Sequence, residues 1–205
     1  TADEMTDDHV PYNPTDQNEI CTNETIRNNY VSDVNTEIQG ACGIVAGYPR
    51  GIAIEHNEVT ETNYSGISVG YGWTTALNAM SNNKINYNNV HHVENILGAG
   101  GGIATLSNQA PASEILCNYV HDFQQSQWAD LPIGGIQLNE ATSGYTVTQN
   151  VMINVPGVIY GPNTSQNTVS DNGANPTGAQ NTMASAGIEP SYADIKALAV
   201  PAPAF

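Results

Sequence analysis

Four carboxylates, Glu94, Asp122, Asp130 and Glu140, fall in or beside the loops that separate short repeated phrases, where members of the set could stand around one groove. Paired carboxyl groups can divide proton donation and base work between them, the minimum for acid–base cleavage of a polar bond. Glu140, directly after Gly134-Gly135-Ile136-Gln137-Leu138-Asn139, is the first candidate, with Asp130 as its companion. The plainer reading of each is a solvated turn carboxylate. Superposed repeats also align Ser32, Thr60, His91 and His121 in one column, and Asp33, Glu61, His92, Asp122 and Asn154 in the next. Imidazoles and carboxylates on neighbouring strands are divalent-metal ligands when they converge. Adjacent strand positions point to opposite faces, so His91 and His92 are not expected to share an ion. A hydrogen-bonded histidine ladder is the favoured reading, and neither a metal nor a cofactor is expected.

The elements that must position these groups follow from a phrase that returns five times: an apolar residue, two variable positions, an asparagine, and a further apolar residue. The asparagines are Asn29, Asn57, Asn88, Asn118 and Asn150, spaced 28, 31, 30 and 32 residues apart. A period near thirty with little helical patterning between phrases predicts stacked coils. Each phrase is followed by a second one, Gly43-Ile44, Gly66-Ile67, Gly102-Ile103, Gly135-Ile136 and Gly157-Val158, after loops of variable length. Ile26, Ile54, Ile85, Ile115 and Val147 then form one inward ladder, and Val31, Val59, Val90, Val120 and Met152 another, with parallel strands about 4.8 Å apart. The asparagine ladder between them is expected at the turn itself, because Asn tolerates left-handed backbone angles and can bond neighbouring coils. The fold class predicted is all-β, a right-handed single-stranded parallel β-helix of five to six coils with a short C-terminal capping helix.

Twenty acidic residues against four basic ones give a formal charge of −16. Such a surface repels phosphate backbones and anionic lipids, which argues against nucleic-acid binding. No run of eighteen apolar residues and no charged-then-apolar leader occurs, so membrane insertion is not expected, and the chain reads as a processed protein or a fragment. Residues 1–20, acidic and containing Pro11 and Pro14, read as a flap or linker; 21–184 hold the coils; 185–205 hold a cap and tail, with a helix expected over Ser191–Leu198. Asn167 to Asn172 resembles a weakened sixth phrase.

Cys21, Cys42 and Cys117 are too few and scattered for a disulfide framework or a zinc site. A Cys21–Cys42 bridge would tie the leading segment to the first coil; the alternative is three buried thiols. Asn23, Asn63 and Asn163 match the glycosylation acceptor triplet, although a chain rich in Asn and Thr produces such triplets by chance. Acidity, few lysines and these triplets favour an extracellular location.

The coil phrases, together with Tyr64-Ser65-Gly66-Ile67-Ser68-Val69-Gly70-Tyr71-Gly72-Trp73, Gly100-Gly101-Gly102-Ile103, Asn118-Tyr119-Val120-His121-Asp122 and Ala186-Gly187-Ile188-Glu189-Pro190-Ser191-Tyr192, resemble the C-terminal half of parallel β-helix proteins of the pectate-lyase-like superfamily. Within it the likeness is to β-helix glycoside hydrolases of the family 141 and family 120 kind, over roughly residues 22 to 198. Members are usually longer, so the chain looks like their back half. The resemblance implies one carboxylate just before Gly-Gly-Gly-Ile and another just after the next Gly-Ile phrase, since glycoside cleavage uses two carboxyl groups. Here those positions are Ala99 and Asn139. The resemblance also places Tyr64 to Trp73 beside the hydrolases' groove, so Tyr64, Tyr71 and Trp73, with Trp128, become candidate stacking surfaces for sugar rings; packing onto the helix wall is the alternative.

Two functions of different class follow. One is an extracellular polysaccharide-binding or weakly hydrolytic protein related to glycoside hydrolases, whose carboxylate positions are altered. The other is a structural protein that self-associates through an uncapped N-terminal coil.

Overall fold

The computed structural model describes residues 11–129, 131–161 and 166–199. Its strands are short and belong to three parallel sheets, each built from one strand per coil. The first sheet holds β1 (Thr25–Arg27), β4 (Ala53–Glu55), β7 (Lys84–Asn86), β10 (Asn108–Leu116), β13 (Ser143–Thr148) and β16 (Thr168–Ser170). The second holds β2 (Tyr30–Ser32), β5 (Glu58–Thr60), β8 (Asn89–His91), β11 (Tyr119–His121) and β14 (Val151–Ile153). The third holds β3 (Ile44–Ala46), β6 (Ile67–Val69), β9 (Gly101–Thr105), β12 (Gly134–Leu138) and β15 (Ile159–Tyr160). This is a parallel β-helix.

The register follows the sequence ladders. Ile26 pairs with Ile54, Ile54 with Ile85, Ile115 with Ile85 and with Val147, and Val147 with Val169 of the sixth phrase. Val31, Val59, Val90, Val120 and Met152 pair likewise, and Ile44, Ile67, Ile103, Ile136 and Ile159 complete the third side. At least one apolar side chain from each strand β1 to β15 thus enters a single dry core, in which Ile54, Ile85, Ile115, Val59, Val90, Ile67 and Ile103 have no solvent exposure. Burying each such side chain contributes about 1.5–3 kcal/mol.

Between the first and second sheets the asparagines form a continuous ladder. Asn29, Asn57, Asn88, Asn118 and Asn150 each donate Nδ2 to the Oδ1 of the next at 2.8–3.0 Å, ending on Asn172, and each Oδ1 also accepts the backbone N–H of the preceding member. The left-handed residue at this corner is not the asparagine, as expected from the sequence, but the one before it: Asn28, His56, Tyr87, Cys117, Gln149 and Asp171 have φ between 50° and 57°. A left-handed residue bends the strand sharply, and the side-chain bonds of the next asparagine hold the bend, so even His, Tyr and Cys adopt it here.

The tail does two things. α1 (Ala179–Ser185) packs on β14 of the last coil. The chain then runs back along the outside: Gly187 N–H donates to Tyr87 O, Glu189 pairs with Arg27 at 2.8 Å, and Lys196 pairs with Glu58 at 2.6 Å. The helix expected near Ser191 is a 3-10 helix, Pro190–Leu198, and it lies against the first two coils. At the other end Tyr12 stacks on Tyr48 and its carbonyl accepts Ala79 N–H, laying residues 11–20 across the first coils.

Candidate functional site

On its first four strands the outward face of the third sheet carries the residue immediately after the inward isoleucine: Val45, Ser68, Ala104 and Gln137, in register. Three of these four are small or short, so the face is recessed. Loops rise around it to enclose a groove of about 560 Å³. Tyr64 and Cys42 come from the loops entering β6 and β3, Tyr71 and Trp73 from the loop leaving β6, Ala99 from the loop entering β9, and Asn139 and Glu140 from the turn after β12.

The structure therefore gathers Tyr64, Tyr71, Trp73, Ala99, Asn139 and Glu140 into one place from loops far apart in sequence. Asn139 Nδ2 donates to Ala99 O at 3.2 Å, so the two positions at which the family resemblance expects carboxylates are in direct contact. Asn139 Oδ1 accepts Gln137 Nε2 at 3.1 Å, while the other polar atom of that buried amide, Gln137 Oε1, has no partner. Glu140 is exposed at the rim. Tyr48, Tyr71 and Trp73 meet edge to face at 5.9 and 4.8 Å, which fixes the rings beside the groove.

Glu94 stands behind the groove wall and is fully buried. Its Oε1 lies 3.1 Å from Ser65 Oγ, Ser65 Oγ accepts Gly101 N–H at 3.3 Å, and Glu94 Oε2 has no partner. Burial pushes the Glu94 carboxyl up to about 8, against the smaller opposing help of Ser65 and Gly101, which favours its neutral form near pH 7. The site is built tightly: a Cβ on Gly100 would collide with Glu94 Oε1 and Ser65 Oγ. Burial, and then Glu94, push the neighbouring Cys42 thiol up to about 11 and raise the Tyr64 phenol as well.

Other candidates lie elsewhere. Trp128 is 77% exposed on the loop after β11 and is not part of the groove lining. Asp122 belongs to the second sheet's outer corner, where it binds His121 at 2.7 Å and Asn154 at 2.8 Å. Asp130 and Asn163 lie outside the described residues. Asn23 is exposed, whereas Asn63 Nδ2 is engaged with Asn35 O. The proposed Cys21–Cys42 bridge is absent: both thiols are free. Cys42 precedes β3 and Cys21 pairs its carbonyl with Arg50 beyond β3, so a whole strand separates them.

The histidine columns also differ from expectation. His91 Nδ1 and His92 Nδ1 are 2.8 Å apart, on the same side, because His92 has φ 50° and strand alternation ends there. His91 stacks on His121 and His121 on Tyr119, and His91 approaches Glu58 at 3.5 Å. Among the described residues no group of three or more His, Cys, Asp or Glu is arranged to hold a metal ion, and no helix is long and apolar enough to cross a membrane.

Sequence reasoning missed Cys42, Ser65 and Ser68 among the residues lining the groove. For Ser68 the signal was available: the residue after the inward isoleucine of a Gly-Ile phrase must face outward on the same sheet.

No known family model matches the chain, and no curated protein does. Among solved structures it is similar to a glycoside hydrolase, with TM-score 0.78 and 32% identity over 91% of this chain; the match covers 31% of that protein's length. The chain thus shares with a glycoside hydrolase the parallel β-helix, over nearly all of its own length and about a third of the relative's.

Proposed function

We propose that the groove on the third sheet binds a neutral polysaccharide, and that the chain cleaves it weakly or not at all. The observation that carries this is the contact between Ala99 and Asn139 within a groove flanked by Tyr64, Tyr71 and Trp73. Similarity to a glycoside hydrolase supports a sugar ligand. It also supports the view, together with the sequence likeness to families 141 and 120, that two carboxylates once stood at 99 and 139. An amide and a methyl group supply neither a nucleophile nor a proton donor, which leaves Glu140 alone at the rim.

The preference for a neutral glycan rests on charge. The chain has four Lys and Arg residues. Arg27 is held by Glu189 and Glu55, Arg50 by Ala79 O and Gln17, Lys84 by Glu114 and Lys196 by Glu58; none of them lines the groove. With no cation at hand and a formal charge of −16, uronate or sulfate groups would be repelled. An extracellular location fits a polysaccharide ligand and the exposed acceptor triplet at Asn23.

Restoring the carboxylates tests this reading. Ala99 has φ 66°, a backbone conformation that Asp tolerates better than Ala, so Ala99→Asp should be accommodated. The double variant Ala99→Asp/Asn139→Asp should release reducing sugar from a bound neutral glycan about a hundredfold faster than the parent chain, the scale of a positioned acid–base pair. A parent chain that already cleaves as fast as the double variant contradicts the proposal.

A further inference from the structure

We propose that the groove is a trench closed at one end, which takes the terminus of a neutral glycan rather than a stretch from the middle of the chain. This rests on the reading of the groove as a glycan site and narrows its ligand to a chain end.

The direction of the groove follows from its walls. Tyr64 and Ala99 rise on the flank where strands of the third sheet begin, and Tyr71, Trp73 and Glu140 on the flank where they end. A ligand between these walls lies along the stack of coils and crosses one strand about every 4.8 Å. Two rows of residues run beneath it. The outward row reads Val45, Ser68, Ala104 and Gln137. A second row, just past the strand ends, reads Gly47, Gly70, Leu106 and Asn139. Its stacking is fixed by Gly70 N–H on Ala46 O, Leu106 N–H on Val69 O and Asn139 N–H on Thr105 O.

Both rows fill in toward the fourth coil. Val45 is 62% exposed and Ser68 partly exposed, but Ala104 is only 2% and Gln137 only 3% exposed. The second row carries no side chain at Gly47 and Gly70, then a leucine, then an asparagine that reaches across the sheet. Asn139 Nδ2 donates to Ala99 O on the opposite flank at 3.2 Å, and Asn139 Oδ1 holds Gln137 Nε2 at 3.1 Å. Backbone at the start of β9 closes over the same side chain: a Cβ on Gly101 would stand 3.0 Å from Gln137 Cβ. Val45, Ser68 and Ala104 accordingly line the groove, whereas Gln137, which faces the same way, does not. The trench therefore runs over the first three coils and stops at the bridge between Ala99 and Asn139. A glycan that continued past the fourth coil would have to break that bridge; a chain end would not. Two strand steps of about 4.8 Å separate Val45 from Ala104, room for roughly two sugar rings beside the aromatic wall.

The test is calorimetric titration with linear xylan, mannan and β-glucan, each as a hexasaccharide and as a size-fractionated polymer several times longer. Recognition of a chain end predicts one protein per glycan chain at both lengths. Asn139→Ala, its folding verified by its melting transition, removes the bridge and should let long chains run through, seating two or more proteins on each. A parent chain whose stoichiometry rises with polymer length, or an Asn139→Ala protein that stays at one per long chain, overturns the inference while leaving the groove reading intact. Absence of binding by all three glycans at both lengths overturns the groove reading itself, and the inference with it.

Discussion

The protein is expected to lose stability as pH rises from 5 to 8.5, with its melting temperature falling by about 10 °C, and Glu94→Gln is expected to remove most of that fall. Unfolded, the Glu94 carboxyl titrates near 4.5; folded, it holds its proton up to about 8. Its stabilising protonation is therefore fully present below 4.5, declines as pH rises, and is gone above 8. The shift corresponds to something on the order of 4 kcal/mol, and a chain of this size changes melting temperature by about 2–4 °C per kcal/mol. Other shifted groups do not imitate this. Glu58, Asp122 and Glu189 are held below their ordinary values, Glu189 at about 2, so their contributions are complete by pH 5. His121 is lowered, chiefly by burial, so its contribution to stability rises with pH in the low part of the range and opposes the trend. The check is differential scanning calorimetry of both proteins across the range; a parent chain whose stability is flat or rising contradicts a neutral buried Glu94.

The second large effect concerns the corner ladder. Asn118→Ala is expected to destabilise the fold by about 4 kcal/mol or more. Asn118 is fully buried and donates Nδ2 to Ile85 O, Leu116 O and Asn150 Oδ1, while its Oδ1 accepts both the backbone N–H and Nδ2 of Asn88. Alanine leaves these partners buried and unpaired, at about 1–3 kcal/mol for each group that finds no substitute. Asn29, at the exposed end of the ladder, should cost about 1 kcal/mol by comparison, because water replaces its lost partners. Urea unfolding of both variants measures the difference, and equal losses would show that the ladder does not act as a buried network.

Much of this architecture was legible in the chain because its ladders repeat. The isoleucine, valine and asparagine columns each specify the same stacking, so the register of Ile26 on Ile54 or Val59 on Val90 followed from alignment alone. The sixth phrase, weak by itself, proved to extend the ladder through Asn172. What escaped was anything governed by single backbone angles or by irregular loops. The left-handed residue sits one place before each asparagine, and a second left-handed column at Asp33, Glu61, His92, Asp122 and Asn154 carries His92 round to the side of His91. Alternation rules end where such a residue begins. The groove was half legible: the resemblance picked out Tyr64, Tyr71, Trp73, Ala99 and Asn139, which do converge. Trp128 lies on a loop whose path no repeat constrains, and the burial of Glu94 depends on Gly100 allowing close approach, a fact of three dimensions.

The third-sheet groove is expected to hold a neutral glycan through its aromatic wall. Isothermal titration of the parent chain and of Trp73→Ala, with xylan, mannan and β-glucan hexasaccharides on one side and oligogalacturonate and alginate fragments on the other, tests it most directly. The account predicts saturable binding of a neutral hexasaccharide, weakened about tenfold or more in Trp73→Ala, with no detectable binding of the acidic fragments. Binding of the acidic fragments in preference to the neutral ones, or neutral binding unchanged in Trp73→Ala, would contradict it.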